Sequence, residues 1–184
     1  MEKKTDLQDM LNQLGETYQN RMPFHRLLGI RIVSLTPDDV RVRIDMREEL
    51  IGNFVRRILH GGVISAVLDL TGGLIAFAEL VKHLGAVPPD ELAKRFARAG
   101  TIDMRVDYLR RGTGEYFIAT GSVLRRGNKV AVIRTELVND QDLLIAAGRE
   151  NRVFSTSRLP RRGVTEMILP LRSGKIISHG RLSR

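Results

Sequence analysis

Between residues 29 and 154 the chain is written in short alternating runs, broken once by a long stretch that is apolar on every side. Val40, Val42, Ile44 and Met46 alternate with Arg41, Arg43 and Asp45, the period of two that a strand shows when one face is buried. The run 30–35 joins it through Thr36-Pro37-Asp38-Asp39, which predicts a hairpin. Strand character returns at 101–108, where Ile102, Met104, Val106 and Tyr108 share one face and Thr101, Asp103, Arg105 and Asp107 the other. Three more strands are expected over 116–124, 130–138 and 143–154, set off by turns at Gly112-Thr113-Gly114, Arg126-Gly127-Asn128 and Asn139-Asp140-Gln141-Asp142.

The interruption spans about residues 60–83, where Val63, Ile64, Val67, Leu68, Leu74, Ile75, Phe77, Leu80 and Val81 occupy all sides of a helix. Asp69 stands near its middle, and a lipid-exposed carboxylate there costs about 2.5–3.5 kcal/mol, so a helix buried inside protein is expected and no membrane span. Residues 6–21 read as an amphipathic helix, 22–29 as a helical turn closed by Gly29, 47–59 as an irregular loop, and 91–98 as a short helix. Two strands, one apolar helix and four strands predict an α+β fold in which a single antiparallel sheet of about six strands wraps the helix. Such a sheet keeps an open edge, and pairing it with a second copy predicts at least a homodimer.

Composition narrows the chemistry. The 184 residues, 42% hydrophobic, suit one domain with appendages, divided here into a helical segment 1–28, a domain 29–156 and a tail 157–184 that is expected to be poorly ordered. There is no Cys, which excludes disulfide scaffolds, thiolate metal sites and thiol nucleophiles. Most of the formal charge of +9 belongs to the tail, where seven basic side chains face the single Glu166. The body is therefore only mildly basic, and no nucleic-acid partner is expected. His25, His83 and His179 have no clustered carboxylates, so neither a metal nor another cofactor is called for. The N-terminal residues lack the apolar core of a secretory signal, which points to the cytoplasm.

What remains is His60-Gly61-Gly62, where a loop turns into the buried helix. Two glycines at a helix start let a ligand approach the backbone, and first-turn N–H groups at the positive end of the helix suit a carbonyl oxygen gaining negative charge. Gly62 is the expected donor. Asp69 follows His60 by nine residues, about 13 Å along the axis. One substrate cannot reach both on the same helix, so the spacing predicts a site shared between two chains with antiparallel helices. An apolar helix offers Asp69 few local partners, and burial would then favour its action as a base.

This pattern resembles the hotdog-fold acyl-CoA thioesterases of the phenylacetate-pathway-like branch, over about residues 20–156, on three features: His-Gly-Gly opening the helix, Asp69 beyond it, and the strand Gly100 to Arg110. It looks most like the bacterial members that act on medium- or long-chain acyl-CoA in fatty acid metabolism. The resemblance implies a hotdog fold, a dimer or tetramer, and Asp69 as general base or nucleophile. It further implies that Gly62 polarises the thioester carbonyl, that His60 orients the loop or thioester, that Asn53 places water, and that Thr101 assists through its hydroxyl. Phe54 and Leu59, with Ile58 and Val63, are candidates for the acyl chain, Gly61 for a substrate contact at the turn, and Arg110, Arg111, Arg125 and Arg126 for the coenzyme A phosphates. A hotdog enoyl-CoA hydratase and a non-catalytic acyl-CoA-binding module are the competing expectations.

Overall fold

The structure, a computed structural model, describes residues 7–84, 94–95, 97–127 and 129–154. In chain order it contains α1 (Leu7–Asn20), α2 (Pro23–Leu28), β1 (Arg31–Leu35), β2 (Val40–Asp45), β3 (Ile51–Asn53), β4 (Ile58–Leu59), α3 (Gly61–Leu84), β5 (Ala99–Tyr108), β6 (Tyr116–Arg126), β7 (Val130–Asn139) and β8 (Leu144–Phe154). Six strands form one antiparallel sheet in the order β1-β2-β6-β7-β8-β5, and α3 packs against it. The tail 157–184 lies outside the described residues, as do 91–93 and 96 of the short helix expected over 91–98.

Alternation fixes which side chains meet α3. From β2 these are Val42 and Ile44, from β6 Phe117 and Ala119, and from β7 Ala131, Ile133 and Leu137, all at most 1% exposed. They close on Val67, Leu68, Leu74 and Val81 of α3, which are wholly buried. Burying one such side chain stabilises by about 1.5–3 kcal/mol, and this accounts for a helix that is apolar all round. Although α3 is long and apolar enough to cross a bilayer, most of its apolar length is enclosed by the sheet and α1. On α1, the amphipathic helix expected there, Met10, Leu11, Leu14 and Tyr18 supply the buried stripe.

Two expectations are corrected. The loop 47–59 is not irregular: a 3-10 turn at Glu48–Leu50 leads into the hairpin β3–β4, whose short strands the apolar pattern could not signal. On β5 the expected apolar face is only half used, because a register shift between Thr101 and Asp103 breaks the alternation and leaves Ile102 exposed.

Gly121 marks the tightest backbone approach in the sheet. A Cβ there would stand 2.2 Å from the Arg134 carbonyl oxygen and 2.8 Å from Ile75 Cδ1. Backbone on the neighbouring strand cannot rotate away. Gly121→Ala is therefore expected to cost about 1–3 kcal/mol, read as a lowered midpoint of thermal unfolding.

Candidate active site

The turn that opens α3 is anchored from both sides. The Leu59 N–H donates to the Gly112 carbonyl (2.8 Å) and the His60 N–H to that of Leu50 (2.9 Å). The His60 carbonyl then accepts from the Val63 and Ile64 N–H groups at 3.0 and 3.1 Å, which starts the helix. The Gly62 N–H donates to His60 Nδ1 at 2.8 Å. The donor expected at Gly62 is thus already engaged, and the first-turn amide left without an acceptor among the described residues is that of Gly61. With Nδ1 accepting, a neutral His60 ring carries its proton on Nε2.

A residue outside the expected site set secures the same turn. Tyr108, at the end of β5, donates its hydroxyl to the Gly61 carbonyl (3.1 Å) and lies 2.5 Å from Ser65 Oγ, which also bonds that carbonyl. Its ring covers Gly61, where an added Cβ would lie 3.5 Å from it. The Tyr108 hydroxyl was legible only as one face of a strand.

Asp69 lies two turns further along α3, and its surroundings differ from the expectation of a carboxylate isolated by burial. Its side chain is 44% exposed in the single protomer, and Oδ1 accepts from Thr101 Oγ1 (2.7 Å) and from Arg152 Nη2 (2.8 Å). Arg152 Nη2 also donates to the Asp69 main-chain carbonyl. Thr101 and Arg152 are directly opposed across β5 and β8, which is why they converge on one oxygen. No donor among the described residues engages Oδ2.

Behind this carboxylate sits Glu150, fully buried, its Oε2 3.1 Å from Arg152 Nη2. The space for it comes from α3: a Cβ on Gly72 would stand 1.2 Å from Glu150 Oε1, and one on Gly73 2.7 Å from the Tyr18 hydroxyl and 3.0 Å from Arg152 Nη1. Gly72 and Gly73 are thus sites of close approach, where any side chain would evict the acid or the guanidinium. Burial pushes the Glu150 carboxyl up to about 7, with Arg152 opposing and Asp69 adding to the rise.

The other expected residues are divided. Asn53 lies on β3, and its Oδ1 accepts from the Arg56 N–H (3.1 Å), closing the hairpin turn. Phe54 and Val55 at that turn are 84% and 77% exposed. Leu59 is a core residue at 3% exposure, packed on Gly112 and unavailable to a ligand. Arg110 bonds the Leu144 carbonyl (2.9 Å), and Arg111 precedes the Gly112 that anchors Leu59, so both flank the His60 turn. Arg125 and Arg126 end β6, where Arg126 lies 3.9 Å from Glu79, ten residues beyond Asp69 on α3. The four arginines do not form one cluster. His25 is buried and its Nδ1 lies 2.8 Å from the Tyr18 carbonyl, a structural contact between α2 and α1.

The sequence pattern of the Thioesterase superfamily matches residues 57–146, which hold the His60 turn, Asp69 and Thr101. The medium/long-chain acyl-CoA thioesterase YigI of Escherichia coli is 43% identical over 137 residues, 74% of this chain and 88% of that protein. The chain belongs to the thioesterase superfamily. A Shewanella oneidensis protein described as related to the thioesterase superfamily superimposes on this thioesterase with a TM-score of 0.79 and 47% identity, over 81% of this chain and 97% of that one. The Escherichia coli PaaI protein from the phenylacetic acid degradation operon shares its fold, with a TM-score of 0.65 over 82% of this chain and 96% of that one at 20% identity. The hotdog architecture and the class of thioester hydrolase expected from the sequence both hold.

Proposed function

We propose that this thioesterase hydrolyses medium- or long-chain acyl-CoA to the free acid and coenzyme A, at sites that each take residues from two protomers. The reading is carried by β5. This strand is one of the two sheet edges, and its two ends hold the two halves of the chemistry: Thr101 bonds Asp69 at one, Tyr108 bonds the Gly61 turn at the other. Ile102, Tyr108 and Leu109 are 56%, 54% and 50% exposed along it, an apolar edge that a lone protomer leaves unpaired. Antiparallel pairing of two such edges about a two-fold axis sets the Thr101 end of one against the Tyr108 end of the other. Asp69 of one protomer then faces the Gly61 turn of its twin.

In that site the Gly61 N–H, at the positive end of α3, polarises the thioester carbonyl, taking the role expected of Gly62. His60 holds the turn through Nδ1 and offers its Nε2 proton to the thioester. Asp69, with Oδ1 fixed by Thr101 and Arg152, presents Oδ2 to water as a general base or to the carbonyl as a nucleophile. Arg110 and Arg111 are the cations placed to meet coenzyme A phosphates beside the turn. The exposed Phe54-Val55 tip belongs to the hairpin that ends at His60 and offers apolar surface to the acyl chain, with Asn53 bracing that tip. The name of YigI supports the chain-length range.

Thiol release measured over acyl-CoA of increasing chain length tests this directly. Turnover is expected to peak with medium or long chains. Loss of enoyl-CoA absorbance without thiol release would replace the reading by the hydratase, and binding without either reaction by the acyl-CoA-binding module.

A further inference from the structure

Two acids and one base meet where a hydrophobic row is expected. Along β8 the residues facing α3 are Ala146, Gly148, Glu150 and Arg152, all buried. The row ends in a charged pair, although such a pair is often replaceable by apolar side chains at no cost in stability. A single nitrogen, Arg152 Nη2, reaches Asp69 Oδ1, the Asp69 carbonyl and Glu150 Oε2. Neither Glu150 oxygen has a well-aligned hydrogen bond among the described residues. The titratable groups around it are Arg152 on its own strand, Asp69 on α3 and Tyr18 on α1, while β5 and β7 present Met104 and Ile133 at the paired positions.

We propose that Arg152 and Glu150 are positioning residues for Asp69: the guanidinium fixes Oδ1, and the buried carboxylate offsets the guanidinium charge so that Asp69 remains reactive. The inference rests on Asp69 being the base or nucleophile. An arginine alone against that oxygen would hold Asp69 in place while drawing off its electron density, making it a weaker base and a weaker nucleophile. Glu150 has no path to substrate, being fully buried behind Gly72, and acts on Asp69 through the shared Arg152 and through its own charge beside it.

The arrangement gives the reaction a second titration. Burial holds the Glu150 proton up to about 7. Below that pH Glu150 is neutral and the whole guanidinium charge falls on Asp69; above it Glu150 is ionised and shares the charge. Turnover therefore rises as pH increases through the neutral range.

The test is the pH profile of thiol release by the full chain. Glu150→Gln keeps the shape and fixes the neutral state. It is expected to remove the rise near pH 7 and leave kcat about tenfold low at alkaline pH, with KM unchanged. Glu150→Asp restores a charge and is expected to bring part of the rise back. Arg152→Lys keeps the charge but not the shared nitrogen, and is expected to lower kcat and displace the same rise. A Glu150→Gln enzyme with the wild-type profile, or one slowed equally at every pH, overturns the proposal. Should that variant fail to fold, an undisplaced rise in Arg152→Lys overturns it instead. An active Asp69→Asn enzyme sinks the underlying reading, whereas an inactive one with unmoved Glu150 profiles sinks only the positioning pair.

Discussion

Asp69→Asn is expected to lower kcat for thiol release by about 10²–10⁴-fold, the range carried by a positioned general base or nucleophile, with little change in KM. Asparagine retains an Oδ1 acceptor, so the bonds from Thr101 Oγ1 and Arg152 Nη2 persist and the fold is preserved. What disappears is the capacity of the other terminal atom to take a proton or attack, since an amide nitrogen does neither. Stability of the variant, followed by thermal unfolding, separates the two effects. Asp69→Ala is a poorer probe, because it strips Arg152 of one of its two carboxylates and leaves the cation beside Glu150 alone. Turnover within threefold of wild type in the asparagine variant would remove Asp69 from the chemistry.

The fold was legible because its two periodicities are clean. Val40 to Met46 alternates without exception, and the side chains of α3 are apolar on all faces, so one sheet around one helix is the packing that buries both. An open sheet edge followed from the same pattern, whereas the spatial order of the strands, with β5 at an edge, is known only from the structure. The β3–β4 hairpin did not, since strands of three and two residues are too short to show a period. Of the site, His60, Gly61 and Asp69 stood out because glycines and an acid are conspicuous in an apolar helix. Arg152 and Glu150 escaped because Arg149-Glu150-Asn151-Arg152 reads as a solvated strand end, and charge in a strand normally marks the outer face. The signal was present across two elements: small residues at Gly72 and Gly73 on the helix, and large charged ones in register with Ala146 and Gly148 on the strand. One-dimensional patterns weigh each element alone. The bond that engages the Gly62 N–H was hidden for a similar reason, because the ring of His60 turns back on its own loop and no spacing rule reports that.

Mixing two inactive variants is expected to restore activity under the proposal that each site takes its two halves from different protomers. Gly61→Pro deletes the N–H offered to the carbonyl while leaving a residue suited to the first helical position, where proline fits and its missing donor breaks no helical bond. An added Cβ fits there, its nearest side-chain atom being 3.5 Å away on Tyr108. Alone, this chain is expected to lose 10²–10³-fold in kcat, the usual penalty for one oxyanion donor. Asp69→Asn alone loses its acid in both sites of the dimer. In a mixed dimer one site inherits both defects, but the other joins the intact Gly61 turn of the Asp69→Asn chain to the intact Asp69 of the Gly61→Pro chain. Random assortment on co-expression makes half the dimers mixed, each with one working site, so thiol release should recover to about a quarter of wild type. A site contained within one protomer predicts no recovery at all. The recovery should also vanish when the β5 edge is blocked, and Ile102→Lys, which places a charge on that exposed strand, is the change expected to do so. Dilution series of the mixture then link the two observations: activity and dimer should disappear together, because on one chain the Asp69 carboxylate and the Gly61 amide stand about 12 Å apart along α3.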